Sequence, residues 1–344
     1  MNPPEVWKAT VHVAGTAVET GVQAELDGFD GLSFGDTQHI AADPYCGLCL
    51  VARATERLNL LVGVTNPVTR HPAVTAASIA TVQAESAGRA SLGVGRGDSS
   101  LAYLGLPPAT FQETERYLAR LRVYLEGEGQ ADRKTTPLRW VAQARLPNVP
   151  LDVAATGPRM IAMGARWAER VTINVGAIVE RVASALELAR QAAGEDRQVQ
   201  SPPSLGAYLV VAVHPDPSVA LDLARGPLAA YAQLSGMAAT GAHWLDDLDR
   251  SVVQAVAADY ELQFHGRKEG RHATHLDDRF IRRFGIVGSP SHCADRLAEL
   301  AEVGVQRLVL VEGLDPAQPA EQRRAHELLV REVMPELRER ARLT

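Results

Sequence analysis

Three features are scarce in this sequence: cysteine, aromatic residues and long apolar runs. Only 3 of its 344 residues are cysteines, which excludes a disulfide-rich secreted scaffold and is typical of a reducing compartment. Aromatic residues make up 5% of the chain, and no stretch encodes a recognisable pocket for a sugar, a lipid or a pterin. No apolar run reaches the ~18 residues that a membrane-spanning helix needs, and the first residues, MNPPEVWKAT, do not resemble a signal peptide. We therefore expect a cytoplasmic protein that does not enter membranes.

The overall composition is that of an ordinary globular protein with an excess of negative charge. Hydrophobic residues make up 46% of the chain, which is enough for a large core. The formal net charge at pH 7 is −6, from 35 basic and 41 acidic side chains. Because nucleic acids and anionic membranes attract basic proteins, neither is expected as the main partner.

Strand-like apolar runs and amphipathic helix patterns alternate along the whole chain. The strand patterns are continuous rather than alternating, as expected for parallel strands that are covered on both faces. Eight such units predict an α/β fold of the (β/α)8 TIM barrel type; a doubly wound sheet, which usually has fewer strands, is the alternative. The predicted strands are 6–13, 31–34, 58–64, 90–94, 149–155, 171–175, 205–213 and 307–311, and the predicted helices lie near 14–28, 43–56, 72–87, 110–126, 157–168, 178–193, 216–234 and 290–303.

Two stretches interrupt this alternation. Residues 127–148 are polar and contain glycine and proline, which predicts a long loop or a short hairpin. Residues 235–284 carry helix patterns but no strand pattern, which predicts an insertion before the eighth strand. Insertions at the strand ends of a barrel commonly form lids over the active site. With this insertion, residues 1–344 are expected to form a single barrel domain.

The insertion contains a basic segment, FHGRKEGRHATH, that has two interpretations. Its side chains would steer an anionic substrate or an acidic cofactor tail, or they form an ordinary solvated loop. No carboxylate pattern accompanies its two histidines, so no metal site is predicted. The residues concerned are Arg267, Lys268, Arg271, His272 and His275.

Polar residues and glycines follow the strands at their carboxyl ends. These ends meet at one mouth of a barrel, where active sites are built. Asp36 either caps the next turn or points into this mouth, where it would accept a hydrogen bond from a heterocycle or act as an acid or base. The residues selected by position are Asp36 and His39 after strand 2, Gly63 to Asn66 after strand 3, Gly97 and Asp98 after strand 4, Ala155 to Pro158 after strand 5 and Asn174 after strand 6.

Two glycine-containing segments bear on the type of cofactor. GVGRGD at 93–98 lacks the GxGxxG spacing, and no acidic residue ends a strand about twenty residues later, so a dinucleotide site is not predicted. We interpret its glycines as allowing the backbone to approach a flat ligand. Thr156-Gly157-Pro158 precedes a helix whose free N–H groups would bind a phosphate, unless Thr156 simply caps that helix.

Cys46 and Cys49 form a CxxC pair within PYCGLCLVARATERL. Zinc needs four ligands, and neither a second CxxC nor an HxxxH pair accompanies this one. The segment has the pattern of an amphipathic helix with both thiols on one face. We therefore predict that both cysteines are buried and inert.

Several ordered blocks of the sequence resemble the bacterial luciferase-like superfamily of flavin- and deazaflavin-dependent oxidoreductases. The resemblance is closest to the branch that uses coenzyme F420, such as methylenetetrahydromethanopterin reductase. It implies a barrel with an insertion before strand 8 and a cofactor that lies across the carboxyl ends of the strands. The blocks are GVTNPVTRHPAVTAASIATVQAESAGRASLGVGRGD, FDGLSFGD, DVAATGPRMIAMGARWAERVTINVGA and FGIVGSPSHCADRLAELAEVGVQRLVL, and they extend from about residue 28 to 311.

The resemblance also implies roles for individual residues. The bond between Gly63 and Val64 corresponds in relatives to a non-proline cis peptide behind the isoalloxazine ring. Thr65 and Asn66 would line the cofactor site, whereas Arg70-His71-Pro72 would only fix the turn into the next helix. Positions near the ring correspond to Asp36, Thr65, Gly97 and Asp98, and the phosphate site corresponds to Ala155, Thr156, Gly157 and Pro158.

The resemblance does not assign the acid or base. Several deazaflavin-dependent relatives have a histidine directly after the aspartate of strand 2, where this chain has Thr37. The candidates are therefore His39, Asp98 and His12, in that order. Either histidine alternatively packs in a loop without taking part in chemistry.

Three functions are compatible with the resemblance. The first is a reductase or dehydrogenase that moves a hydride between coenzyme F420 and a small-molecule substrate. The second is an FMN-dependent monooxygenase that receives reduced flavin from a partner reductase, and the third is a non-catalytic cofactor binder. Luciferase-like barrels are usually dimers or larger, so a homodimer is expected.

Overall fold

The protein is described by a computed structural model that covers residues 3–126, 136–144, 147–194, 197–237, 243–313 and 315–343. In these ranges, nine parallel strands form one sheet that closes on itself. Continuous apolar runs become strands here because helices cover one face of the sheet and the barrel interior covers the other. The strands are β1 (Glu5–Thr10), β2 (Gly31–Phe34), β3 (Asn59–Thr65), β4 (Ala90–Val94), β5 (Leu151–Ala155), β6 (Arg170–Ile173), β7 (Ser204–Val213), β8 (Ile286–Gly288) and β9 (Arg307–Glu312).

Eight of these strands make the barrel. Strands β1 to β7 pair in chain order, and β9 pairs with both β7 and β1, which closes the circle. Strand β8 pairs only with residues 211–213 at the carboxyl end of β7 and lies outside the barrel. The predicted (β/α)8 barrel is confirmed. The sequence analysis does not predict β8, because three residues are too few for a periodic signal.

Some predicted strand ends differ from the structure. The first strand ends at Thr10 rather than at residue 13, and Val11 and Val13 beyond it are exposed. Strand β5 begins at Leu151 rather than at 149. The apolar pattern therefore continues past the hydrogen-bonded ladder into the loops.

The eight predicted helices are all present, and six described helices begin with proline, whose missing N–H costs nothing in the first turn. Of the described helices, none is both long and apolar enough to cross a bilayer. The helices are α1 (Ala17–Leu26), α2 (Pro44–Ala54), α3 (Pro72–Glu85), α4 (Ser99–Ala102), α5 (Phe111–Glu126), α6 (Arg139–Ala144), α7 (Pro158–Trp167), α8 (Val179–Ala192), α9 (Pro217–Gly236), α10 (Asp247–Ala258), α11 (Asp278–Phe284), α12 (Pro290–Glu302), α13 (Pro319–Leu328) and α14 (Met334–Leu343).

The two interruptions of the alternation have different outcomes. Within 127–148, the prediction of a loop or hairpin is wrong for residues 139–144, which form helix α6. The alanine, arginine and glutamine of this segment are good helix formers. Residues 127–135 and 145–146 lie outside the described residues. The stretch 235–284 holds α10, α11 and two short 3-10 helices. Together with α9, these helices share an apolar cluster that is separate from the main core and lies next to β7.

A buried polar cluster fills the barrel interior toward the amino ends of the strands. Arg307 Nη2 donates hydrogen bonds to Asp152 Oδ2 (3.0 Å) and to Thr172 Oγ1 (2.9 Å), and the two charged side chains are 1% and 2% exposed. Buried charges persist only when they are paired in this way. Because this end is filled, the space for a ligand lies at the carboxyl ends of the strands.

Candidate active site

A cavity of about 1600 Å³ opens at the carboxyl ends of the barrel strands. Its walls come from the loops after β2 to β6, from α9 and from the segment after β9. Since a typical single-ligand site occupies roughly 300–1000 Å³, this cavity has room for a cofactor and a second molecule. Nine residues selected from the sequence line it, namely Asp36, Gly63, Val64, Gly97, Asp98, Ala155, Thr156, Gly157 and Asn174.

The end of β3 bulges toward this cavity. The peptide bond between Gly63 and Val64 is cis, as the family resemblance implies. The pairing of β3 with β4 shifts register between Val62 and Thr65, so the two strands lose their regular ladder at this point. The bulge thereby brings Gly63 and Val64 to the cavity wall.

Three glycines make room for the bulge. A Cβ atom at Gly63 would lie 2.1 Å from Ser33 Oγ, and one at Gly93 would lie 2.5 Å from a backbone oxygen of β3. A Cβ atom at Gly95 would lie 2.8 Å from a methyl group of Val64. From the sequence, the glycines after strand 4 are expected to let the backbone approach a flat ligand. In the structure, Gly93 and Gly95 also leave room for the neighbouring strand β3.

Thr65 and Asn66 are not among the residues that line the cavity. Thr65 is completely buried, and its side chain lies next to the phenols of Tyr45 and Tyr117. Asn66 Oδ1 accepts hydrogen bonds from the N–H groups of Val68 and Thr69 (both 3.0 Å), and its Nδ2 donates to Ser100 Oγ (3.2 Å). Asn66 therefore shapes the turn behind the wall, a role that the sequence alone does not distinguish from ligand contact.

Asp36 lies in the cavity wall at the end of β2 and is 6% exposed. Arg70 Nε lies 3.5 Å from its Oδ2, and the same guanidinium donates to Asp43 Oδ2 at 2.6 Å and stacks on Tyr45. Asp36 Oδ2 has no hydrogen-bond partner within the described chain. Arg70 thus orients Asp36 in addition to forming the turn, which is the role expected from the sequence. His71 has a structural role only, because its side chain caps α3.

Asp98 enters the cavity directly after β4. It follows Gly97, whose φ of +81° and close contact with Asn66 favour glycine. Burial raises the pKa of the Asp98 carboxyl, and the nearby positive charge of Arg96 opposes this only in part. Asp98 therefore keeps its proton to a higher pH than an exposed aspartate, which is a property of a proton donor.

The two candidate histidines do not line the cavity. His12 is buried, its ring stacks on Phe34 with centroids 5.1 Å apart, and its Nδ1 lies 3.0 Å from the carbonyl oxygen of Asp43. His39 is exposed and stacks on Tyr103, also at 5.1 Å. Their roles as acid or base stay predictions, and the geometry favours Asp98 among the three candidates.

The amino end of α7 faces the cavity. The helix is capped by Gly157 without a side-chain hydrogen bond, so the alternative in which Thr156 caps it is wrong. Pro158, its first residue, is not among the lining residues. The N–H groups of Gly157 and Arg159 donate to no acceptor among the described residues. Free N–H groups at the positive end of a helix dipole form an anion site.

Two buried polar atoms of the wall lack a hydrogen bond among the described residues. Asn174 Oδ1 has no hydrogen-bond partner within the described chain, and Asp36 Oδ2 has only the ion-pair contact with Arg70 Nε at 3.5 Å. Native proteins rarely leave such atoms unsatisfied, so these two fit a bound heterocycle with polar edges.

Several lining residues are not predicted from the sequence, and four of them have chemically active or aromatic side chains. Tyr231 comes from α9, and burial raises the pKa of its phenol. It lies within a helix pattern that carries no signal of function. Arg96, Phe111 and Arg159 come from three different elements, and the sequence gives no sign that they meet.

The basic segment of the insertion is largely paired. Lys268 forms ion pairs with Asp222 and Asp315, the latter at 2.8 Å. His272 is fully buried, contrary to a solvated loop, because it packs under the insertion against Tyr260. Lys268 and its neighbour Arg267 line the cavity, so their effect on an anionic ligand stays a hypothesis.

The prediction of two buried thiols is wrong for Cys46, which is exposed. Helix α2 buries a face that contains Leu48 and Val51, and Cys46 lies away from this face. Cys49 is half-buried, and burial raises the pKa of its thiol, which disfavours the reactive thiolate.

Comparison with known proteins identifies relatives of this chain. A family model described as luciferase-like monooxygenase matches residues 4–307. The 5,10-methylenetetrahydromethanopterin reductase of Methanolobus tindarius is 27% identical over 305 residues, which cover 85% of this chain and 89% of that protein.

Solved structures share the fold. The coenzyme F420-dependent tetrahydromethanopterin reductase from Methanopyrus kandleri has a TM-score of 0.73 and 22% identity, with 98% of this chain and 100% of that one covered. A type II Baeyer–Villiger monooxygenase component from Pseudomonas putida, in complex with FMN, has a TM-score of 0.64 and 16% identity, with 97% and 98% covered. Since the family model covers most of the chain, this oxidoreductase belongs to the luciferase-like monooxygenase family.

Proposed function

We propose that the protein transfers a hydride between coenzyme F420 and a small organic substrate. The observation that carries this proposal is the cavity of about 1600 Å³, which joins the bulge at Gly63 and Val64 to the anion site at α7. The sequence relative from Methanolobus tindarius, matched over most of both chains, is a reductase. A cavity of this size takes a long cofactor and a substrate at once.

The described residues fit a deazaflavin. Gly63 and Val64 would support the ring from behind, while Asp36 and Asn174 offer its N–H groups oxygens that accept no hydrogen bond within the described chain. The amino end of α7 would hold the phosphate with free N–H groups. When bound, the deazaflavin supplies the carbon that accepts or gives the hydride. The protein contributes position, a defined ring face and exclusion of water.

Asp98 is the proposed proton donor to the substrate. It lies in the cavity, and its raised pKa keeps a fraction of the carboxyl protonated at a higher pH than in an exposed aspartate. A positioned acid of this kind typically contributes 10²–10⁴-fold to rate. The reaction it supports is reduction of a polar double bond, in which the hydride and a proton are delivered to neighbouring atoms.

An FMN-dependent monooxygenase is the second candidate. The observation in its favour is the anion site at α7, which suits the single phosphate of FMN as well as that of F420. This function would require molecular oxygen and a partner reductase that supplies reduced flavin.

Titration of the purified protein with oxidised F420 and with FMN tests the proposal. We expect tighter binding of F420, followed by fluorescence quenching, and bleaching of F420 absorbance in the presence of a hydride-donating substrate. As a control, oxygen consumption is recorded with chemically reduced FMN. Tighter binding of FMN together with oxygen uptake would reject F420 as the cofactor and support the monooxygenase.

A further inference from the structure

We infer that Arg96 and Arg159, both stacked on the ring of Phe111, bind the carboxylates of an acidic cofactor tail beyond its phosphate. We call these three residues the arginine clamp. The inference rests on the proposed function, since a deazaflavin with a glutamate-bearing tail supplies such carboxylates and FMN does not. The arginine clamp would therefore help the protein to bind F420 in preference to FMN.

The geometry of the clamp is defined by one aromatic ring. The guanidinium carbon of Arg159 lies 4.0 Å from the ring centroid of Phe111, and that of Arg96 lies 4.5 Å from it. Both distances are within the range of cation–π contact. All three side chains line the cavity. The ring thus holds two positive groups near each other at the wall of the site.

Neither cation has an acidic partner at ion-pair distance among the described residues. No carboxylate oxygen of these residues lies within 4.0 Å of either guanidinium, and the charge of Arg96 acts on the Asp98 carboxyl from a longer distance. The Arg96 side chain donates one hydrogen bond, from Nε to the carbonyl oxygen of Ala109 at 2.6 Å. This bond fixes the side chain but leaves the outer N–H groups available. Two guanidiniums without a close carboxylate in a chain of net charge −6 indicate a place for an anion.

The clamp lies next to the phosphate site. Arg159 is the second residue of α7, so its side chain leaves the same turn whose N–H groups are free. Arg96 precedes Gly97 and Asp98, which also line the cavity. A tail that continues from a phosphate at α7 would therefore be within reach of the clamp. Guanidinium forks bind carboxylates with two parallel hydrogen bonds, which makes carboxylates suitable ligands here.

Binding measurements with Arg159→Ala test the clamp. The ligands are F420 with its acidic tail and the same deazaflavin that keeps its phosphate but lacks the glutamate tail, each followed by fluorescence. We expect Arg159→Ala to weaken F420 binding about tenfold or more, as for loss of a charge-assisted hydrogen bond, and to leave the tail-less ligand unchanged. The difference in F420 affinity between the wild type and Arg159→Ala should become smaller at high salt. Added ions screen the charge–charge interaction that only the wild type makes.

Arg166→Ala is the matched control, since Arg166 lies on the same helix, pairs with Glu115 at 3.8 Å and does not line the cavity. It should leave both affinities unchanged. Arg159→Lys keeps the positive charge but lacks the planar guanidinium that can donate two parallel hydrogen bonds. Its F420 affinity should therefore lie between those of Arg159→Ala and the wild type. This variant also tests the clamp if the alanine variant does not fold.

Equal F420 affinity in Arg159→Ala and in the wild type would overturn the inference, as would equal losses for the tailed and tail-less ligands. A wild type that binds neither deazaflavin but binds FMN would instead contradict the proposed function. The two failures are therefore distinguishable.

Discussion

Two charged regions line the same cavity and differ in how their charges are paired. In the arginine clamp, neither guanidinium has a described carboxylate at ion-pair distance, although the charge of Arg96 acts on Asp98 from farther away. In the second region, which we call the β1–β9 network, every charge has a partner of opposite sign. Its members are Lys8 on β1, Glu312 on β9, His326 on α13 and Asp27 after α1.

The β1–β9 network is a chain of short contacts. Lys8 Nζ donates to Glu312, and the ring nitrogens of His326 lie 2.7 Å from Glu312 Oε2 and 3.0 Å from Asp27 Oδ2. These contacts connect two neighbouring strands to two helices on the outside of the barrel. The comparison teaches that paired charges stabilise the fold, whereas unpaired charges at the wall of a cavity are available to a ligand.

The largest expected effect comes from breaking the network at its centre. Glu312→Gln removes the charge that Lys8 and His326 share, so Lys8 loses this partner and His326 keeps only Asp27, at a site about one-fifth exposed. We expect the free energy of unfolding to fall by roughly 2–4 kcal/mol, near the cost of breaking a buried ion pair. Urea denaturation at pH 6 measures it.

Glu321→Gln is the matched control for that change, because Glu321 also pairs with a histidine, His214 at 3.0 Å, but is more exposed. The free energy of unfolding of Glu321→Gln should fall by at most about 1 kcal/mol, as for surface ion pairs. Equal decreases in the two variants would show that the β1–β9 network does not stabilise the fold more than a surface ion pair does.

The network also predicts a pH dependence. The hydrogen bond with Glu312 raises the pKa of His326, so its contribution to stability is complete below the ordinary value of 6.5 and is lost as pH rises through the folded value. Burial opposes ionisation of Glu312, but the bond with His326 and the charge of Lys8 outweigh it and lower the Glu312 pKa to about 2. That contribution is present above 4.5 and lost toward pH 2.

Unfolding free energies measured from pH 6 to 9 should therefore decline more steeply in the wild type than in His326→Gln. The variant lacks the proton that the folded network holds more tightly than the unfolded chain does. Parallel slopes in the two proteins would mean that His326 titrates alike in both states.

Replacement of Asp98 in the cavity is expected to increase the stability of the fold, by less than Glu312→Gln decreases it. Burial raises the pKa of Asp98, so ionisation of this group destabilises the folded state, and stability falls as pH rises through the folded value. Asp98→Asn removes that cost and should stabilise the protein at pH 7 by about 1 kcal/mol while lowering turnover. Thermal unfolding at pH 4 and pH 7 checks it, since the gain should disappear at the lower pH.

Much of the fold is predictable because its signals are local and repeated. Each barrel strand is a continuous apolar run, and prolines mark the first turns of helices such as α3 and α7. Positions after the strands also identify Asp36, Asp98 and Gly157 as cavity residues, since parallel strands bring their carboxyl ends together.

Other parts of the site depend on contacts that no local pattern encodes. Thr65 and Asn66 follow the same strand as Val64, yet the register shift leaves only Val64 at the wall. The position of His39 shortly after Asp36 makes it the first candidate for the acid or base, but its ring stacks on Tyr103 outside the cavity. A shift of one or two residues in a loop decides which way a side chain faces.

By itself, the sequence determined the barrel, the insertion before the last barrel strand and the loops that surround the mouth, because apolar periodicity specifies which faces are buried. Only the tertiary structure decided which charges are neutralised. It pairs Lys8 with Glu312, 304 residues away, and sets Arg96 and Arg159 against Phe111 with no described carboxylate at ion-pair distance. Electrostatic pairing depends on distances of a few ångströms between remote segments, and only the closed barrel fixes those distances.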